Sequence, residues 1–244
     1  MGGRRALDLH LRDKVDFSKI RFFYMEGVRH TPTVQYLSCE MRAALLKAVS
    51  HFEEKFDIEA ICLDLPLLTK AIEMSFASMQ AEGSPKISEI FMSLKGDRGN
   101  LNWLKELPKV LSGKSVHTPG ALLFAFIEST DRTCEEEKAE HLHLRDRLSR
   151  QISELLGSDG ILLFPSWPIT APYHHQGIFA PFDFAYTCVF NALTLPALQC
   201  PIGLDSKGLP LGVQLVASYN CEWLLIAAAQ QLSNAFGGWT PVWK

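Results

Sequence analysis

The side chains of this 244-residue chain best suited to chemistry are Ser115, the pairs His141/His143 and His174/His175, and Cys188. Ser115 lies in Gly113-Lys114-Ser115-Val116-His117. That run begins like the strained turn that exposes a nucleophilic serine, but His117 stands where the second glycine belongs. No two serines are adjacent, and the glycine pairs at 2–3 and 237–238 precede no serine. A phosphate-binding loop and a dinucleotide fingerprint are both missing, so no cofactor is expected. His141 and His143 stand two apart on a helical stretch, which turns their rings to different faces. A metal needs three or four convergent ligands, and no further His or Cys lies at ligand spacing, so no metal site is expected. His174-His175 follows a buried strand in a proline-rich loop, a place where open α/β sheets hold ligands. Hydrogen bonding to nearby backbone is the plainer use of that pair. Cys188 sits in an uncharged stretch, with no cation in sequence to lower its pKa. It reads as a small hydrophobe rather than a nucleophile.

Composition narrows the classes further. Hydrophobic residues make up 47% of the chain, enough for a substantial core. The net charge of −3 gives no basic footprint, so no nucleic-acid partner is expected. Six scattered cysteines form no Cys-x-x-Cys pair and read as free thiols of a reducing, intracellular compartment. The first residues lack the apolar run of a signal peptide. Residues 1–18 are expected to be disordered. Two stretches, 160–182 and 184–204, carry no charge and are long enough to span a bilayer. Their prolines, together with His174, His175, Asn191 and Gln199, favour buried strands and a buried helix over a spanning segment.

The elements that must hold these residues follow from periodicity. Ile20–Met25 is a β-rich run closed by Gly27, and residues 36–56 repeat Leu37, Met41, Leu45, Val49 and Phe52 at helical spacing. Ile58–Leu63 reads as a strand. Pro66 opens a helix with Leu67, Ile72 and Met74 inward, and Gly83-Ser84-Pro85 ends it. Two short apolar helices occupy 101–129, the second capped by Thr118 with Pro119 in its first turn. Residues 132–156 form the clearest helix, with the stripe Leu144, Leu148, Ile152, Leu155 and Leu156 and a stop at Gly157. Then come a strand at 161–164, a helix at 183–193, strands at 197–202 and 212–217, and a helix at 222–236. That order predicts an α/β fold, a mixed β-sheet core flanked by helices.

The last third carries a specific string: Leu162-Leu163-Phe164-Pro165-Ser166-Trp167-Pro168, then Tyr186-Thr187 ahead of Asn191 and Pro196-Ala197. Cys200-Pro201-Ile202-Gly203 and Gly208-Leu209-Pro210-Leu211-Gly212-Val213-Gln214 follow. With His174-His175 and the closing Phe236-Gly237-Gly238-Trp239, this resembles the C-terminal half of amidase-signature enzymes of the fatty-acid amide hydrolase type. A weaker match reaches back to about Lys14-Val15-Asp16-Phe17, so residues 19–244 are expected to form a partial amidase-signature domain. Each residue also has a plain structural use. Gly208-Leu209-Pro210 turns between strands, and Asn191 is expected to cap or bridge backbone inside an apolar region.

The resemblance implies hydrolysis of lipid amides to a fatty acid and an amine in the complete enzyme. The family uses a nucleophilic Ser, a bridging Ser and a Lys set in a Gly/Ser-rich segment that also forms an oxyanion hole. This chain has no Gly-Gly-Ser-Ser element, so no catalytic residue carries over, and it is expected to be inactive alone. The resemblance does carry over an acyl channel. Phe184 and Cys188, one helical turn apart, match the positions that line it, with simple core packing as the competing use. Residues 101–129 match the apolar cap through which the family meets a membrane surface, again with core packing as the competitor. A homodimer is compatible with the resemblance. The alternative reading is a non-catalytic lipid-binding or interaction module derived from the same fold.

Overall fold

The computed structural model describes residues 14–28, 31, 33–80, 84–94 and 96–238. Five strands form one sheet: β1 (Arg21–Tyr24), β2 (Ile61–Cys62), β3 (Gly160–Pro165), β4 (Ala197–Leu204) and β5 (Pro210–Val216). Their order is β2-β1-β3-β5-β4. β1 runs parallel to β2 and β3, whereas β5 is antiparallel to both β3 and β4. The sheet is mixed, as expected.

Alternation along the strands divides the core in two. Phe22, Ile161, Leu163, Val213 and Leu215 point to one face, where α1 (Cys39–Phe56) and α8 (Glu222–Phe236) cover them. Phe23, Leu162, Phe164 and Val216 point to the other. There α2 (Ala71–Met79), α6 (Glu135–Leu156) and α7 (Ala185–Ala192) pack on them. Every residue of β3 is buried, because helices lie on both of its faces. Within the uncharged stretch after Asp159, β3 and one face of α7 are core while residues 171–177 are exposed, and no helix among the described residues is long and apolar enough to cross a membrane.

The helix ends obey local rules. The Ser38 hydroxyl accepts the Met41 N–H at 3.3 Å, and Thr118 accepts that of Ala121 at 3.2 Å. Gly157 closes α6, and Gly160 then passes so near Leu156 that a Cβ there would lie 2.6 Å from its Cα. Three further helices, α3 (Ile87–Leu94), α4 (Trp103–Leu111) and α5 (Pro119–Thr130), form a small satellite around Leu101, Leu122 and Ala125.

Several expectations are corrected. The strand read at 58–63 is only Ile61–Cys62, and both residues are exposed. Pro66 opens a 3-10 turn, Pro66–Lys70, and the α-helix starts at Ala71. That turn rephases the inner face, which buries Leu68, Ala71, Met74 and Ser75 and leaves Leu67 and Ile72 half-buried. Helix α3 was not foreseen. Asn191 is exposed rather than buried. Its carbonyl accepts the Thr194 N–H at 3.0 Å, and the buried bridging amide is Gln214, which donates to the carbonyls of Pro165 at 3.1 Å and Tyr186 at 2.8 Å. Packing begins before residue 19: Phe17 is only 5% exposed, and its ring packs at a tilt against those of Phe22, Phe52 and Phe56. Residues 1–13, the expected stop at Gly83 and the closing Trp239 lie outside the described residues.

Candidate acyl-binding site

Helix α7 is anchored at its N-terminal end. Ahead of it, the buried Asp183 carboxylate accepts the Gln35 N–H at 2.8 Å, while burial raises its pKa above the ordinary carboxylate value. Inside the helix, the Tyr186 hydroxyl donates to the Gln35 carbonyl at 3.1 Å. Burial, aided by the nearby Asp183, pushes the Tyr186 phenol up to about 12, so it stays a neutral donor. Tyr186 fits only because Gly27 has no side chain: a Cβ there would come within 2.6 Å of the phenol oxygen, at a backbone φ of +106°. Gln214 secures the Tyr186 carbonyl from the sheet side.

This scaffold turns Phe184 and Cys188 toward α2 and α5. The Phe184 ring meets Phe76 edge-on, with centroids 6.1 Å apart and planes at 87°. It lies 5.7 Å from Phe124 and 6.4 Å from Phe182. Cys188 Sγ lies 3.0 Å from the hydroxyl of Ser75, which also donates to the Ala71 carbonyl at 2.6 Å. Phe184 and Cys188 thus share a face, as their spacing requires, and that face abuts the helix carrying Ser75 and Phe76. Phe182 and Phe76 also line a cavity of about 380 Å³ between α2, α5 and α6.

Phe76 and Phe124 belong to this cluster and were missed as site residues. Phe124 is visible in sequence only as one apolar residue of α5. Nothing local ties it to a helix 60 residues later, because ring contacts between elements leave no periodic signal.

The cluster offers apolar surface and no reactive group. Burial pushes the Cys188 thiol up to about 11, so it carries no thiolate near neutral pH. The other candidates lie elsewhere. Ser115 donates to the Glu106 carboxylate at 2.8 Å and accepts the His117 N–H at 2.9 Å, which ties down the loop after α4. The Glu106 carboxyl is in turn held below its ordinary range by Lys109 and then Ser115. His174 and His175 are exposed. His141 lines the cavity while His143 faces solvent. Among the described residues no three potential metal ligands converge.

The mixed sheet with helices on both faces has known counterparts. The solved structure of 6-aminohexanoate cyclic dimer hydrolase complexed with substrate superposes with a TM-score of 0.61 at 17% identity, covering 97% of this chain and 48% of that one. The fold is therefore that of amidase-signature enzymes. Sequence carries the assignment further. Fatty-acid amide hydrolase 2-B of Danio rerio is 35% identical over 242 residues, and fatty-acid amide hydrolase 2 of Homo sapiens is 34% identical over 241. Each alignment covers 98% of this chain and 45% of the relative, so the chain spans a little under half the length of these proteins. The amidase family profile matches residues 27–226, and the chain belongs to the amidase family.

Proposed function

We propose that this chain is the acyl-chain-handling portion of a serine amidase resembling fatty-acid amide hydrolases. In the complete protein, a lipid amide is hydrolysed to a fatty acid and an amine. The nucleophilic Ser, the bridging Ser and the Lys come from sequence outside these 244 residues, which contain no Gly-Gly-Ser-Ser element. The observation that carries this reading is the near-complete alignment to two fatty-acid amide hydrolases, 98% of the chain in each case.

The geometry supports the assignment of roles. Phe184 joins a ring cluster fed by Phe76, Phe124 and Phe182, which suits an alkyl chain better than a polar group, and Cys188 lies one turn further on against Ser75. Apolar area removed from water contributes about 25 cal/mol per Å², so such a lining stabilises a bound chain in proportion to its length. The satellite helices suit contact with a membrane surface: Leu104, Leu111 and Val116 are 63, 79 and 67% exposed, in line with a face that seeks an apolar medium. A chain presenting these surfaces without a nucleophile also fits the second reading, a lipid-binding module with no catalysis.

The transcript upstream of the Met1 codon separates the two readings. We expect an in-frame coding segment carrying a Gly-Gly-Ser-Ser element and an upstream Lys. A stop codon and promoter immediately before Met1 would establish the independent module and overturn the enzymatic reading.

A further inference from the structure

Asp183 stands between two rings that face apolar surroundings. Phe182, on one side, lines the cavity between α2, α5 and α6, and Phe184, on the other, joins the cluster with Phe76 and Phe124. Asp183 itself is turned inward and only 2% exposed. An ionised carboxylate offers about four acceptor sites, and here it accepts the Gln35 N–H at 2.8 Å. Tyr186 makes the second link to the same residue, its hydroxyl donating to the Gln35 carbonyl at 3.1 Å. Residue 35 is thus gripped by its N–H and its C=O together, which ties the β1–α1 connection to the start of α7.

No cation among the described residues offsets that buried charge. Lys70 and Glu73, beside Phe182, pair with each other at 3.1 Å. Arg132, Lys138 and His141 line the cavity beyond, and Arg42 is held by Glu26 at 2.7 Å. The titratable neighbour of Asp183 is Tyr186, a neutral phenol whose pKa is pushed up to about 12. Gln214, which reaches the Tyr186 carbonyl from β5, is a neutral amide. Burial is therefore the larger influence on the Asp183 carboxyl and raises its pKa, with the Gln35 N–H opposing it. A carboxyl raised in the closed state binds its proton more tightly there than when opened to water. Linkage fixes the sign: the closed state is favoured most below the ordinary value of 3.8, and that advantage is lost as pH rises through the raised value.

We propose that Asp183 is a proton-operated latch, which tightens the clamp on Gln35 when it takes up a proton and so fixes the turn that carries Phe182 and Phe184. The proton comes from solvent and settles on one carboxyl oxygen, while the other goes on accepting the Gln35 N–H. At higher pH, hydration of the carboxylate favours the open form, and the two rings loosen together. The acyl role of Phe184 belongs to the proposed function, but the latch does not depend on it, since all of its groups lie within this chain.

Amide hydrogen exchange of the full chain tests this, followed residue by residue by NMR from pH 4.5 to pH 7.5 and normalised to the intrinsic rate at each pH. Amides of α8, on the opposite face of the sheet, report opening of the whole molecule, including any that His51 causes. Relative to them, we expect protection of the Gln35 and Cys188 N–H groups to fall by at least about threefold as pH rises across that range, because each unit by which burial raises a pKa is worth about tenfold in the ratio of closed to open forms. That fall should vanish in Asp183→Asn and persist in Tyr186→Phe, which keeps the carboxyl. The carbon resonance of the Asp183 carboxyl should titrate above 3.8 in the parent, and this reading decides the matter with the parent's exchange profile if Asp183→Asn does not fold. Protection in the parent that is flat with pH overturns the proposal, as does a fall that survives in a folded Asp183→Asn. A carboxyl that titrates at or below the ordinary value overturns it too.

Discussion

Cys188 touches two kinds of surface, a serine hydroxyl on α2 and the apolar face it shares with Phe184, and the two possible roles of that face make different demands on it. If the face lines an acyl channel in a complete enzyme, Cys188→Trp blocks the deep end of the channel. Each methylene excluded forfeits about 0.8 kcal/mol, so losing three costs roughly 2 kcal/mol, about thirtyfold in kcat/KM for a long-chain amide, with little change for a short one. If the face is only core, the added bulk overpacks the contact with Ser75 by about 1–3 kcal/mol and lowers Tm and all activities together. Kinetics on a long and a short amide, beside a thermal melt, distinguish the two, and we expect the selective loss. A second residue-scale test concerns His51, which packs edge-on against Phe52 and Phe236 with its Nε2 buried and unpartnered among the described residues. Burial, reinforced by Lys55, pulls its pKa below the ordinary histidine value. The unfolded chain therefore binds a proton that the folded one resists, and this contribution is intact above about pH 6.5 and lost as pH falls through the lowered folded value. Tm should fall between pH 7.5 and pH 5.5, and His51→Leu should shrink that fall; an unchanged pH dependence in the variant would show that His51 contributes nothing to it.

At the scale of elements, the sequence was most legible where one helix face or one strand settles its own surroundings. The stripe Met41, Leu45, Val49 and Phe52 and the all-apolar β3 both lie where periodicity places them. Legibility failed where a neighbour decides. The 3-10 turn at Pro66–Lys70 advances the chain with about 3.0 residues per turn instead of 3.6, so a stripe counted from Pro66 drifts off the true inner face. Helix α3 carries Ile87, Ile90, Phe91 and Leu94 at helical spacing, a stripe that the sequence analysis did not use; Phe91 and Met92 pack on the satellite cluster, while Ile90 and Leu94 stay exposed. Phe184 and Cys188 came from the resemblance and share a face because they stand one helical turn apart, whereas Phe76 and Phe124 left no local signal, because only the fold brings them to Phe184. The α6–β3 junction offers a direct test of element packing. Gly160→Ala places a methyl against the backbone of Leu156, where no side-chain rotation can relieve it. We expect a loss of about 1–3 kcal/mol, or about 2–4 °C in Tm per kcal/mol for a chain of this size. A melt matching the parent would mean that the helix end shifts freely, contrary to the tight turn described.

For the whole molecule, the central claim adds the proposed acyl-handling role to two facts: the chain belongs to the amidase family, and its sequence contains no Gly-Gly-Ser-Ser element. Strand β4 ends the described sheet with Ala197, Gln199 and Leu204 exposed. An unpaired strand edge readily accepts a further partner, and the longer relatives have more than twice the sequence with which to supply one. The most direct measurement joins this chain to the remaining N-terminal portion of human fatty-acid amide hydrolase 2 and follows amine release from a long-chain fatty amide, with the isolated chain assayed alongside. The account predicts turnover by a chimera that melts cooperatively and none by the isolated chain. A cooperatively melting chimera without turnover, or amine release by the isolated chain, would contradict it.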